Sequence, residues 1–166
     1  MPPDVPSPTA PPLVPPAPEF NARDIAKDLA RGVARALAER GFVTLTEFSL
    51  ASGRRADVMA LGRDGELVIV EIKSSVADFR TDLKWPDYHE FCDRLFFAVP
   101  EGFPRELIPE ECGLMMADAF GAALLRDAPS TPVAAARRRA VTLRFAQNAA
   151  RRLRRLLDPT AEPDVG

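Results

Sequence analysis

The sequence predicts an α/β fold in which helices cover a central sheet. Three observations carry this expectation. Residues 54–61 and 66–73 read as two adjacent strands joined across Gly62-Arg-Asp-Gly65, whose Asp-Gly pair suits a tight hairpin. Residues 67–70 form a continuous apolar run, as in a strand covered on both faces. Both flanks carry apolar residues at helical spacing, Ile25, Leu29, Val33, Ala36 and Leu37 before the strands and Val141, Phe145, Ala149, Leu153 and Leu157 after them.

The elements follow in order. Residues 1–19 hold nine prolines and few large apolar side chains, so this stretch is expected to be a disordered or polyproline-like tail. A domain spanning residues 20–157 begins at Phe20, and residues 158–166 form a short polar tail. Asn21 is placed to cap the first helix, with Asp24 in the reciprocal capping position and Gly41 as its stop. Residues 42–50 make the first strand, followed by the 54–61 and 66–73 pair. Ser75 caps the next helix with Asp78 as reciprocal partner, and Phe79 and Leu83 lie on its buried face. Pro86 cannot continue that helix but suits the first turn of a new one. Residues 95–99 form an apolar strand, 113–117 and 122–126 a final strand pair, and 134–157 a closing helix. The apolar stripe of the closing helix is expected to face the core, with Arg137, Arg144, Arg151 and Arg155 on another side, toward DNA backbone or simply solvent.

Composition narrows the function classes. With 166 residues, 46% of them hydrophobic, the chain can bury one substantial core. A net charge of −2 argues against a general polyanion binder, yet residues 133–157 contain eight arginines and no acid. Cys92, Cys112 and the sole histidine, His89, have no zinc-ligand spacing, and the cysteines read as reduced thiols of a cytoplasmic protein. No apolar run reaches transmembrane length and no signal peptide opens the sequence, so no membrane association is expected.

The chemistry concentrates on the hairpin. Residues two apart on a strand share a face, so Glu71 and Lys73 emerge side by side, and Asp57 on the partner strand completes two carboxylates and an ammonium. Two carboxylates can hold a divalent cation through oxygen while leaving positions for water and phosphate. A lysine beside them can orient or deprotonate an attacking water and offset charge growing on phosphorus, which is the equipment of metal-assisted phosphodiester hydrolysis. The chain has only three lysines, Lys27, Lys73 and Lys84, which makes the one beside Glu71 less incidental. The alternative for Glu71 and Lys73 is a plain salt bridge at a strand end.

Asp57 followed a strand and a turn later by Glu71-Ile72-Lys73 resembles the PD-(D/E)XK nuclease superfamily, although Asp57 follows Ala56 where the superfamily's name has proline. The longer pattern resembles the MmcB-type DNA-repair nucleases of bacteria. It comprises Arg54-Arg-Ala-Asp-Val-Met-Ala-Leu61, Ile69-Val-Glu-Ile-Lys-Ser-Ser75, Asp78-Phe79, Asp82-Leu-Lys-Trp-Pro-Asp-Tyr88 and Cys92-Asp-Arg-Leu-Phe-Phe-Ala-Val99. The resemblance implies a restriction-endonuclease-like αβββαβ core with a mixed central sheet, here with an extra hairpin strand and a C-terminal helix. It implies a Mg²⁺-dependent deoxyribonuclease in DNA repair, with Mn²⁺ as a substitute, and DNA and other repair proteins as partners. Asp57, Glu71 and the backbone carbonyl of Ile72 would bind metal, and Lys73 would position the water.

Several assignments stay open at this level. Glu47 on the first strand is the favoured further carboxylate, with Asp28 in the first helix as its rival. Arg54, Arg55, Ser74 and Lys84 are candidate phosphate contacts. Trp85 and Tyr88 either shape a substrate channel or pack against the sheet. The rival to a nuclease is a non-catalytic DNA-binding or scaffold module that has kept the fold, and an RNA substrate is a third reading. Oligomeric state is open.

Overall fold

The computed structural model describes residues 22–82 and 84–160. The expected tail at 1–19, the Asn21 cap and Leu83 lie outside the described residues, as do positions 161–166. Helix α1 (Ala22–Glu39) leads into strands β1 (Val43–Ser49), β2 (Arg55–Leu61) and β3 (Leu67–Ile72). Helix α2 (Val76–Thr81) and a 3₁₀ turn (Trp85–Glu90) connect to β4 (Arg94–Val99). Strands β5 (Gly113–Ala117) and β6 (Ala122–Arg126) and helix α3 (Ala135–Leu157) complete the order.

The six strands form one sheet in sequence order. β1, β2 and β3 run antiparallel, β3, β4 and β5 are parallel neighbours, and β6 returns antiparallel on β5. This is the expected αβββαβ order with a mixed central sheet, with β6 as the extra hairpin strand and α3 as the added helix. The β2–β3 turn closes where the sequence places it. Gly65 takes φ 87°, a conformation that its missing Cβ permits, and Gly62 N–H donates to Glu66 O at 2.8 Å.

Strand alternation divides β3 between two cores. Val68, Val70 and Ile72 pack with Leu29, Val33, Ala36 and Leu37 of α1. Leu67 and Ile69 pack on the other face with Phe97, Val141 and Phe145. The sheet therefore lies between α1 and a layer made by α2, the 3₁₀ turn and α3, and every residue of β3 is buried. Helix α1 runs close over the β5–β6 turn. A Cβ at Gly32 would stand 2.0 Å from the backbone oxygen of Asp118, which explains glycine in mid-helix.

Helix α3 corrects the sequence reading. Its first half packs as expected, with Val141 and Phe145 buried and the Phe145 ring 6.0 Å from that of Phe48. Leu153 and Leu157 were assigned to the same core-facing stripe, but they are 56% and 78% exposed. A helix of 23 residues is about 35 Å long and outruns the sheet beneath it.

One buried carboxylate ties α3 to the sheet. Asp93, just before β4, accepts two hydrogen bonds from the Arg138 guanidinium at 2.7 Å. It also accepts from Leu67 N–H at 2.8 Å and Val133 N–H at 2.9 Å. Burial disfavours its charge, but these donors outweigh it and hold the carboxyl at about 2. Cys92 and Cys112 are free and buried, and burial pushes both thiols up to about 12. Among the described residues, no helix is long and apolar enough to cross a membrane.

Candidate active site

The end of β3 and the facing stretch of β2 bring Asp57, Glu71 and Lys73 together. Ile72 N–H donates to Asp57 Oδ2 at 2.8 Å, and Asp57 N–H donates to Glu71 Oε1 at 3.3 Å. Each carboxylate thus uses one oxygen on the opposite strand's backbone, leaving Asp57 Oδ1 and Glu71 Oε2. Glu71 Oε2 lies 3.9 Å from Lys73 Nζ. Glu71 and Lys73 are almost fully buried, at 3% and 4% exposure.

Burying two carboxylates together makes both reluctant to ionise. Burial raises the Asp57 carboxyl above the usual range, against the Ile72 hydrogen bond and Lys73, which lower it. Burial, and then the charge of Asp57, push Glu71 up to about 8. Lys73 behaves oppositely. Burial disfavours its charge, but its bond to Asp82 and the nearby acids leave its pKa above the ordinary lysine value. With its pKa raised, Lys73 stands as an ammonium at neutral pH, the charged form that donates hydrogen bonds.

Asp82 is the site residue that sequence reasoning missed. Its Oδ2 lies 2.5 Å from Lys73 Nζ, and its Oδ1 accepts from Lys84 N–H at 3.1 Å. It follows directly on α2, so a chain reversal brings it back over the strand end. The available signals were an acid at the close of a helix that starts beside Lys73 and its place at the head of the 82–88 segment of the family pattern, neither of which assigns it a role. Asp78 was seen as a capping residue, and Ser75 Oγ does accept from Asp78 N–H at 3.1 Å. The Asp78 carboxylate bonds to Ser74 N–H at 3.1 Å, one residue earlier than a reciprocal cap requires.

The other candidates separate. Glu47 stands opposite Asp57 in the β1–β2 register, between the pairs Thr46–Val58 and Phe48–Ala56. It adopts φ 51°, a left-handed conformation that is costly for a residue with a Cβ and that concentrates at functional sites. Its carboxylate pairs with Arg55 at 2.7 Å, and its backbone oxygen accepts from Arg152 at 3.1 Å. Asp28 pairs with Arg31 and lines a different recess, beside Pro100 and Met116. Arg54 is bound to Asp87. Ser74 Oγ is 3.4 Å from Asp78 Oδ2, and Lys84 is an exposed residue starting the 3₁₀ turn. Trp85 packs with its ring 5.9 Å from that of Phe97, and Tyr88 is buried with its hydroxyl on Arg55 O at 3.0 Å. Both aromatics thus take the packing role.

A cleft of ≈ 810 Å³ opens beside Asp57, between α1 and the β1–β2 pair, with Glu47, Arg55 and Ile72 also on its wall. Among the described residues, no three His, Cys, Asp or Glu side chains form a ready-made metal cage. The donor set nevertheless suits a hard divalent cation bound by two carboxylates and water. A cation at Asp57 and Glu71 would favour the ionised carboxylates that burial now disfavours.

Residues 14–160 match the family described as DNA repair protein MmcB-like. No curated protein matches the chain. Among solved structures, the chain is similar to SPO1766, a protein of unknown function from Silicibacter pomeroyi. The two share 47% identity and a TM-score of 0.83, over 89% of this chain and 99% of that one. It also matches a repair endonuclease from Pyrococcus abyssi at 19% identity and TM-score 0.39, over 61% of this chain and 49% of the other.

Proposed function

The chain belongs to the MmcB-like family of DNA repair proteins, and from that premise we propose that it is a metal-dependent deoxyribonuclease. One observation carries the reading. A buried carboxylate, Glu71, and a half-buried one, Asp57, stand on adjacent strands with raised pKa values, beside an ammonium that Asp82 holds in its charged form. As a stability element this arrangement is poor, because desolvated like charges repel. As a cation and phosphate site it is well matched.

Asp57 and Glu71 would hold Mg²⁺ or Mn²⁺, joined by the backbone carbonyl of Ile72 and, once released from Arg55, by Glu47. Bound there, the ion supplies Lewis acidity at the scissile phosphoryl group. Lys73 donates hydrogen bonds toward the attacking water and the non-bridging phosphate oxygens, where its positive charge offsets the developing negative charge. Asp82 fixes the ammonium so that little reorganisation accompanies reaction. Water adds to phosphorus and the ester P–O bond breaks, giving a phosphomonoester and an alcohol. Arg55, at the mouth of the cleft, supplies a planar donor for the flanking phosphate once it leaves Glu47.

The test is cleavage of end-labelled single-stranded, duplex, flapped and branched DNA with Mg²⁺ or Mn²⁺. Wild type is compared with Asp57→Ala, Glu71→Gln and Lys73→Ala. Cleavage that needs metal and falls at least about 100-fold in all three variants supports the assignment. Binding without cleavage of any substrate would sink it in favour of a non-catalytic DNA-binding module. Cleavage that survives Asp57→Ala would place the chemistry elsewhere.

A further inference from the structure

The Asp57 cleft has a second wall that the reaction does not use, and its chemistry is uneven. The α1 side of the cleft carries Arg23, Lys27 and Arg31 above Ala26, Ala30 and Ala34. The acids of α1 lie off this wall: Asp24 and Asp28 are absent from it, and Asp28 lines the recess on the other side. Three cations four residues apart form one row along a helix, stepping about 6 Å each. That step is close to the distance between successive phosphates of one extended nucleic-acid strand. The alanines beneath leave room beside the row, and Arg55 and Asp57 form the opposite wall.

We propose that this face of α1 is the track along which one strand of the DNA substrate lies, its phosphates against Arg23, Lys27 and Arg31, on the way to Asp57. The proposal rests on the reading of Asp57 as a site residue and adds the form in which substrate arrives. A cleft of ≈ 810 Å³ is ligand-sized and admits a short run of a single strand, not the cross-section of a duplex. The row is accessible, with Lys27 77% and Arg31 54% exposed. Lys27 leans on Asp24 at 4.0 Å and Arg31 on Asp28, surface pairs weak enough to yield to phosphate.

The arginine-rich α3 is the rival surface, and the structure disfavours it. Helix α3 packs on the opposite face of the sheet from α1. Arg137 pairs with Glu90 at 3.3 Å and Arg138 is bound to Asp93; of the α3 arginines named, Arg152 alone approaches the cleft, where it is held by the Glu47 backbone oxygen.

The experiment is a salt titration of oligothymidylate binding by fluorescence anisotropy, with chelator present so that binding is read apart from cleavage. The variants are Arg23→Gln/Lys27→Gln/Arg31→Gln, which keeps helix-forming side chains, and Arg139→Gln/Arg144→Gln/Arg155→Gln on α3 as the control. Loss of three phosphate contacts lowers the slope of log affinity against log salt by about 2 for a single strand. We expect this drop in the α1 variant, with the α3 variant close to wild type and a smaller loss on a blunt hairpin duplex. An unchanged slope in the α1 variant, or an equal drop in the α3 variant, overturns the proposal. So does an equal or larger loss on the duplex. The Asp57→Ala variant separates this from the nuclease reading. If no DNA is cleaved but the α1 variant still loses its slope, the track stands and the nuclease fails. If Asp57-dependent cleavage is found and the α1 variant binds and cleaves as wild type, the track fails alone.

Discussion

Asp93→Asn is a close test of how α3 is fastened. The wild-type carboxylate accepts two bonds from Arg138 and one each from Leu67 and Val133 N–H, and its pKa falls from 3.8 to about 2. That difference is worth about 2.5 kcal/mol of stability at neutral pH. Asparagine removes the charge and turns an NH₂ group toward one of these donors. Leaving a buried N–H unpaired adds about 1–3 kcal/mol. The expected cost at pH 7 is therefore about 3.5–5.5 kcal/mol, close to the range for breaking a buried ion pair from one side. The sign with pH follows from the depressed pKa. The wild-type contribution is complete above pH 3.8 and is lost as pH falls through 2, so the gap between wild type and variant narrows below pH 4. Urea unfolding followed by the fluorescence of Trp85, the only tryptophan, reads both quantities. A penalty under 1 kcal/mol at pH 7, or one equal at pH 3 and pH 7, would refute the latch.

Two further outcomes are expected. Asp82→Asn should leave DNA affinity intact while lowering the cleavage rate about 10–100-fold, because Lys73 loses the partner that fixes it. Unchanged kcat would show that Asp82 is only a surface acid. Gly32→Ala should destabilise the fold by about 2–3 kcal/mol, although alanine is favoured in a helix by about 1 kcal/mol, because the new methyl meets backbone oxygens of Asp118 and Gly121. A melting temperature equal to wild type would mean that α1 shifts off the β5–β6 turn at no cost.

The strands were legible because their signals are local. Alternation, the apolar run of β3 and the Asp64-Gly65 turn locate β2 and β3 to within a residue, and strand parity alone places Glu71 beside Lys73. Asp82 was not legible, since its bond to Lys73 depends on how the chain turns after α2. The fates of Arg54 and Arg55 depend on Asp87 and on the left-handed backbone at Glu47, and neither has a local signature. The stripe on α3 was read correctly in period and wrongly in extent, because periodicity shows which face is apolar but not where the sheet beneath ends. The basic row of α1 was passed over for the denser arginines of α3. Charge count marks a helix, whereas only the fold decides which helix borders Asp57.

The two buried thiols give the protein an unplanned chemical character. With Cys92 and Cys112 raised to about 12, only about one in 10⁵ is a thiolate at neutral pH. Thiol-directed oxidants and alkylating agents act on thiolates, so these two cysteines react slowly while the domain stays folded. Cys92 Sγ donates to Tyr88 O within the segment that covers the site, and Cys112 directly precedes β5. Labelling at either thiol therefore requires the domain to open, which makes the two cysteines reporters on its local unfolding.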